Sequence, residues 1–425
     1  MATYKDAAKK LAAKVFGERT LEDVVEALTP KMPTTHPLPP RMARMGSSGV
    51  EAIIDRRKQL AQLGCPPGDV KPYMPVGNPM TLRGNIEGYI GDCCVPVGIM
   101  GPLRVNGLNA NGDFYVPMAT TEGALVASYQ RGAIVISKSG GAKSLCLTER
   151  VIRAPAFVFR DVIEASNFCM WIVEHFDELK EVVKTTSRHG KLEEMRATLQ
   201  GNVVYIMLEY STGDAAGQNM VTFASRAVCE KVIRETPVKP LRWYLESNMS
   251  GDKKATASSF MYVRGKKVIC EAIIKKKILK RYINITPEQM LHYYHVSLMG
   301  GVLTGSIGVQ GHFANGLTAV FMATGQDVAC VAEAAVGTTQ MDVTEDGDLY
   351  IMVQLPNLIV GTVGGGTRLP TQRAALEMMD CYGTGKARKL AEIIAAVVLA
   401  GEISLPGAII AGDFDQAHKK YGRRG

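Results

Sequence analysis

AFVFR (156–160), DVIEASNFCMWIVEHFDELKEVVKTTS (161–187), KLEEMRATLQ (191–200), NVVYIMLEYST (202–212), DAAGQNMVTFASRAVCEKVIRE (214–235) and KPLRWYLES (239–247) follow one another with little linker between them. The second piece sets Val162, Ala165, Phe168, Ile172 and Phe176 at helical spacing, so it reads as one long helix after a short strand. The third and fourth alternate apolar and polar residues around a Gln200-Gly201-Asn202 turn and pair as a hairpin. A second helix opens at Asp214, and a short strand closes the run. Strand-helix-strand-strand-helix-strand is the order of a ferredoxin-like split unit, here bounded at 154–248.

Outward from this unit the pattern changes. Residues 1–86 read as a helical N-terminal region, interrupted by PKMPTTHPLPP (30–40), which no helix crosses. Glycine and proline dominate from Cys65 to Pro102, as loops and short strands require. Beyond residue 260, strand-like KKVICEAIIKKK (266–277) and LYIMVQL (349–355) alternate with apolar helices at about 287–305, 311–336, 368–380 and 386–401. The expected fold class is α+β. A large mixed domain with a long buried helix, residues 87–153 and 249–425, carries the 154–248 unit as an insertion.

At 425 residues the chain exceeds one ordinary core. With 46% hydrophobic and 21% charged residues it is globular in composition. The net charge of +8 suits an anionic partner without choosing one. Nine cysteines, an odd number with no CxxC pair, indicate neither a disulfide framework nor a zinc site, so no metal is expected and a reducing, cytoplasmic setting is. The stretch Gln289–Gln326 has no Asp, Glu, Lys or Arg, yet it holds His292, His295, Gln310, His312, Asn315 and seven glycines. It therefore reads as two buried helices rather than a bilayer span. Lys275, Lys276 and Lys277 end an alternating strand, and no aromatic stacking pattern or recognition helix accompanies them. Neither nucleic acid nor membrane is an expected partner.

Several residues are candidates for chemistry. Glu122 stands in VPMATTEGALVASYQRG (116–132), where a helix opens. The helix dipole alone explains an acid there. Its apolar neighbours Met118, Ala119, Ala124, Leu125 and Val126 would strip its solvation and raise its pKa toward a general acid. Lys253 and Lys254, in SNMSGDKKATASS (247–259), are a solvated loop pair on the bland reading. On the sharper one they lie in an interdomain cleft, where an ammonium can meet a developing oxyanion. In GHFANGLTAVFMATGQDVACV (311–331), read as one helix, Phe313, Leu317, Val320, Thr324 and Asp327 share a stripe. A charge on such a face needs a partner, and a cleft lysine would serve. His418, in the tail GDFDQAHKKYGRRG (412–425), is idle unless the tail folds over a site. The clusters GTVGGGT (361–367) and GDAAGQN (213–219) offer backbone amides to an anion, but neither fits a Rossmann or P-loop pattern. Ser187-Arg188 suits a phosphomonoester such as the 2′-phosphate of NADPH, or simply ends a helix.

PMATTEGALVAS (117–128), SGDKKA (250–255), ATGQDVA (323–329) and GTVGGGT resemble, in order and at comparable spacing, the signature segments of the 3-hydroxy-3-methylglutaryl-coenzyme A reductase family. TTSRHGKLEE (185–194) and GDAAGQNM (213–220) resemble its nicotinamide-binding segments, and EGYIGDCCVPVGIMGP (87–102) the approach to its coenzyme A site. The likeness runs from about residue 85 almost to the end. It implies a four-electron reduction of the thioester to mevalonate with two NADPH, as in isoprenoid biosynthesis, with 154–248 as the nicotinamide-binding domain.

The same resemblance implies roles by motif. Glu122, Lys253, Asp327 and His418 match catalytic positions. Ser187, Arg188, Asp214, Gly217 and Asn219 match the cofactor side. Arg153, Ser247, Asp252 and Lys254 match positions that hold the substrate's acid end, and Ser128, Arg131, His312 and Asn315 match positions near coenzyme A. A homo-oligomer, dimer or higher, with shared sites is implied, as is a soluble, prokaryotic-type member. The chain departs from the family pattern at His295-Val296-Ser297, where members like the eukaryotic enzyme have Asn-Lys-Asn, and at Gly88, where an asparagine is usual. Loss of that lysine removes a charge-assisted bond of about 1.5–3 kcal/mol. Alternatives therefore remain: a related acyl-coenzyme A thioester as substrate, or an NAD(H)-dependent member oxidising mevalonate, against which Ser187-Arg188 argues.

Overall fold

The computed structural model describes residues 4–43, 50–65, 85, 94–187 and 189–412. His418, Arg188 and Gly88 lie outside the described residues.

Helices α1 (Tyr4–Phe16), α2 (Leu21–Leu28) and α3 (Val50–Gln62) precede the sheet. Thr20 and Asp23 form a reciprocal capping box that starts α2, which ends just ahead of Pro30. Strands β1 (Val97–Gly107) and β2 (Asn111–Ala119) form an antiparallel hairpin, followed by α4 (Leu125–Lys138) and β3 (Ala142–Arg153). Next come β4 (Ala156–Val158), α5 (Val162–Glu174), α6 (Phe176–Thr186), β5 (Lys191–Gln200), β6 (Val203–Ser211), α7 (Gln218–Glu235) and β7 (Arg242–Tyr244). The remainder is β8 (Gly265–Ile274), α8 (Lys276–Ile283), α9 (Pro287–Thr304), α10 (Phe313–Thr324), α11 (Val331–Ala334), β9 (Thr338–Val343), β10 (Leu349–Leu358), α12 (Pro370–Met378) and α13 (Ala387–Ala411).

Mixed helix and sheet is thus the observed class. Strands from 156 to 244 pair in the order β7-β4-β6-β5, the pairing of a split β-α-β arrangement. They enclose their own core, including Phe157, Phe168, Leu179, Leu208 and Val228. Another run of pairings joins β2, β1, β3, β8, β10 and β9. Strand β3 belongs to both: residues 143–150 pair with β8 and residues 151–153 with β6. Arg153 therefore sits where the two cores meet.

Three expected helices are broken or shortened. The helix expected over 161–187 breaks at His175, which ends α5, starts α6 and stacks on Trp171 at 4.3 Å. The helix expected from Asp214 starts at Gln218, because Gly217 at φ +80° sets the turn before it. The helix expected over 311–336 stops at Thr324, where Gly325 at φ +70° caps it.

Helix α13 is the axis of the larger core. It continues through Pro406 to Ala411 and is long and apolar enough to cross a bilayer, yet it is mostly buried within the protein against α4, α10, β3 and β8. Its two wholly enclosed acids act as clasps. Glu392 accepts from the Asn109 and Ala110 amides, each at 2.8 Å, and so holds the β1–β2 turn. Glu402 accepts from the His312 amide at 2.5 Å and the Thr339 hydroxyl at 2.8 Å, and so fixes the entry to α10. Burial pushes both carboxyls up, against these bonds. His312 stacks on Tyr129, with ring centroids 4.7 Å apart, and Tyr129 Oη donates to its carbonyl. Burial lowers the His312 imidazole to about 4.

Backbones of α4 and α13 meet at Gly132, where an added Cβ would lie 2.0 Å from the Ala400 carbonyl oxygen. Gly132→Ala is expected to destabilise the protein by about 1–3 kcal/mol through overpacking; an unchanged melting temperature would contradict this packing. Between pH 6.5 and 4 the unfolded chain protonates His312 while the folded one does not. Its contribution is thus complete above the unfolded pKa and is lost as pH falls, on the order of 3 kcal/mol. Denaturation of wild type and His312→Asn at pH 7 and 4.5 should show a smaller acid loss in the variant, and equal losses would refute the assignment.

Candidate active site

Where β3 ends, Asp252 lies between two guanidinium groups. Arg153 Nη1 donates to its Oδ2 at 2.7 Å and Arg264 Nη2 to its Oδ1 at 2.6 Å. Burial pushes this carboxyl up, but Arg264, Arg153 and Lys253 more than reverse it and hold it below the ordinary range. Ser247 closes the same junction by donating to the Ala154 carbonyl at 2.6 Å. Lys254 is exposed and reaches back to the Asp252 carbonyl at 2.9 Å.

Lys253 follows in a left-handed conformation at φ +57°. Its amide donates to Glu333 Oε1 at 3.1 Å, and its ammonium lies 2.9 Å from Asp327 Oδ2. That bond to Asp327, above all, raises the lysine pKa beyond its ordinary value, so the group is a cation and donor rather than a nucleophile. The two side chains are 45% and 40% exposed, which leaves the pair open to a ligand.

Asp327 has the cationic partner its charge demanded, but not from the stripe expected for it. Since α10 ends at Gly325, Asp327 lies beyond the helix and caps the 3₁₀ turn Val328–Cys330. The glycine cluster 361–367 allows this path. A Cβ on Gly325 would sit 2.4 Å from the Gly366 carbonyl oxygen, and one on Gly361 would sit 2.5 Å from the Ala216 amide nitrogen. Residue 361 thus packs backbone on backbone against 214–216, and residue 325 against 366–367, so close packing accounts for Gly361 and Gly366 of the cluster.

Among the residues expected to serve the cofactor, Asp214 accepts from the Gly385 amide at 2.7 Å and the Ala387 amide at 3.1 Å, so its carboxylate caps the start of α13. Gly217 precedes α7, and Asn219 is exposed in its first turn. Ser187 Oγ accepts from the His189 and Gly190 amides at 3.1 and 3.0 Å, and Gly190 packs closely on Met220 of α7. Gly190 therefore lies against the helix that carries Asn219.

A separate group forms where α4 and α10 begin. Asn315 donates to Glu122 Oε2 at 3.0 Å. Ser128 Oγ lies 3.0 Å from Ser404 Oγ, and Arg131 Nε donates to that same hydroxyl at 3.0 Å. Glu122 is exposed and precedes α4, which starts only after Ala124 at φ 71°, so the burial expected for this acid is not found. Asn315 lies in the first turn of α10 and Asp327 beyond its last. Roughly 14 Å of helix axis separates Asn315 from Thr324. Within one chain, then, Lys253 and Asp327 come together while Glu122 stands at the other end of α10. Arg264, Glu333, Gln218 and Ser404 were missed by sequence reading. Glu333 among alanines was the one visible signal.

The model of the hydroxymethylglutaryl-coenzyme A reductase family matches residues 52–423. The 3-hydroxy-3-methylglutaryl-coenzyme A reductase of Pyrococcus horikoshii is 44% identical over 347 residues, 80% of this chain and 84% of that protein. Its counterpart from Aeropyrum pernix is 46% identical, over 80% of this chain and 82% of that protein. Among solved structures, the class II reductase of Streptococcus pneumoniae bound to NADPH has the same fold, with a TM-score of 0.69 at 17% identity over 87% of this chain and 100% of that one. The chain belongs to the hydroxymethylglutaryl-coenzyme A reductase family and is an oxidoreductase.

Proposed function

We propose that this protein reduces 3-hydroxy-3-methylglutaryl-coenzyme A to mevalonate and free coenzyme A, consuming two NADPH. Each NADPH supplies one hydride to the former thioester carbon, so four electrons in all convert the acyl group to a primary alcohol. Lys253 stabilises the carbonyl oxygen as negative charge develops on it. Asp327 holds that ammonium in place and keeps it protonated. Glu122 manages the proton on the same oxygen, and His418 protonates the departing coenzyme A thiolate. Arg153, Ser247, Asp252 and Lys254 hold the acid end of the substrate. Ser128, Arg131, His312 and Asn315 serve coenzyme A, and Ser187, Arg188, Asp214, Gly217 and Asn219 serve NADPH within a 154–248 domain.

The single observation that carries this reading is the Lys253–Asp327 pair at 2.9 Å, open to solvent beside the Arg153–Asp252 junction. Glu122 would reach it from a second copy of the chain, because α10 keeps the two apart within one. The C-terminal half of α9 supports such self-association: Val296, Met299, Val302 and Leu303 are exposed, the last by 82%. NADPH is favoured over NADH by the Ser187-Arg188 pair.

A steady-state assay with the methylglutaryl thioester and each reduced nicotinamide tests this. Two NADPH should be oxidised per coenzyme A released, with NADH slower. Lys253→Ala should lower turnover by about 10²–10³-fold without changing the melting temperature. Equal turnover of other acyl thioesters, net mevalonate oxidation with NAD, or near-normal activity in the variant would each overturn a stated part.

A further inference from the structure

We propose that Glu333 and Arg264 are positioning residues for this reaction, a buried ion pair that holds the backbone of Lys253 while Asp327 holds its ammonium. The proposal rests on the functional reading above. Lys253 occupies a left-handed conformation that a non-glycine residue keeps only when its surroundings impose it. Glu333, wholly buried, imposes it by accepting the Lys253 amide at 3.1 Å. A carboxylate so placed needs a counter-charge. Arg264 Nη1 supplies it, at 2.5 and 2.7 Å from the two carboxylate oxygens.

The same guanidinium also fixes the preceding residue. Arg264 Nη2 donates to Asp252 Oδ1 at 2.6 Å and to Gln218 Oε1 at 2.8 Å. Residues 252 and 253 are thereby tied to one buried group, and that group is tied to the first residue of α7. Asp327 and Glu333 belong to one continuous helical segment, the 3₁₀ turn Val328–Cys330 running into α11. One rigid turn therefore grips both ends of the lysine: Asp327 at Nζ and Glu333 at the amide. A long flexible side chain becomes a group with a fixed position, which a developing oxyanion requires.

Glu333→Gln keeps the shape and removes the charge that orients Arg264. Its kcat should fall about ten- to a hundred-fold, with both Michaelis constants within about threefold of wild type. The primary isotope effect with deuterated NADPH should rise, as hydride transfer becomes slower than release. A purely structural role would lower the folded fraction and leave kcat per folded molecule and the isotope effect unchanged, which would overturn the proposal. Should that variant not fold, Arg264→Lys, which keeps a charge beside Glu333 but loses the fork to Asp252, is read by the same outcomes. Titration of Lys253 by NMR of labelled lysine is independent of turnover. Asp327 above all, with Asp252, raises its pKa in the wild type, and in Glu333→Gln it should fall toward that of ordinary lysine. An unchanged titration overturns the positioning role, whereas an inactive wild type overturns the functional reading alone.

Discussion

Asp327 meets Lys253 at 2.9 Å because Gly325 ends α10 and turns the chain out of the helix before the aspartate is reached. Had the helix continued, Asp327 would have lain on an apolar stripe, where an unpaired charge costs several kcal/mol. Instead the carboxylate is half open to water and shared between a backbone amide and an ammonium. The rest of the architecture serves this contact. Glycines at 325, 361 and 366 let neighbouring backbones approach closely enough to fix the turn, while Arg264 and Glu333 fix the opposing loop.

Distance is the second constraint. Helix α10 lies between two polar groups: Glu122 with Asn315 at its start, Lys253 with Asp327 past its end. A helix is stiff, so no side-chain rotation joins them within a chain. The buried acids of α13 reinforce that separation. Glu402 anchors the start of α10 and Glu392 the β1–β2 hairpin, and each has its oxygens occupied by N–H or O–H donors, as burial of a carboxylate demands. Under the proposed function, a second copy of the chain is the economical way to bring Glu122 to Lys253.

How much of this was legible before the fold was known depended on range. The hairpin at 191–211 follows from alternation and a Gly201 turn, and α9 from the apolar stretch at about 287–305. Those signals are local. The break at His175 and the passage of α13 through Pro406 are not, since packing overrode propensity at both places. Local logic also misplaced Glu122 and Asp327, because a helix was drawn through Gly325 and another was started too early. Arg264 and Glu333 left almost no trace, for they lie far apart in sequence and only the fold makes them a pair. The motifs that resemble the reductase family named the loop but not the groups that hold it.

The most direct test of a site divided by α10 uses mixed dimers of Glu122→Gln and Lys253→Ala chains, isolated by two different affinity tags. Each variant alone should be inactive. In a mixed dimer with divided sites, one site carries both substitutions and the other neither, so about half of wild-type activity should return. A mixed dimer as inactive as its parents would contradict the divided site and place the chemistry within a single chain.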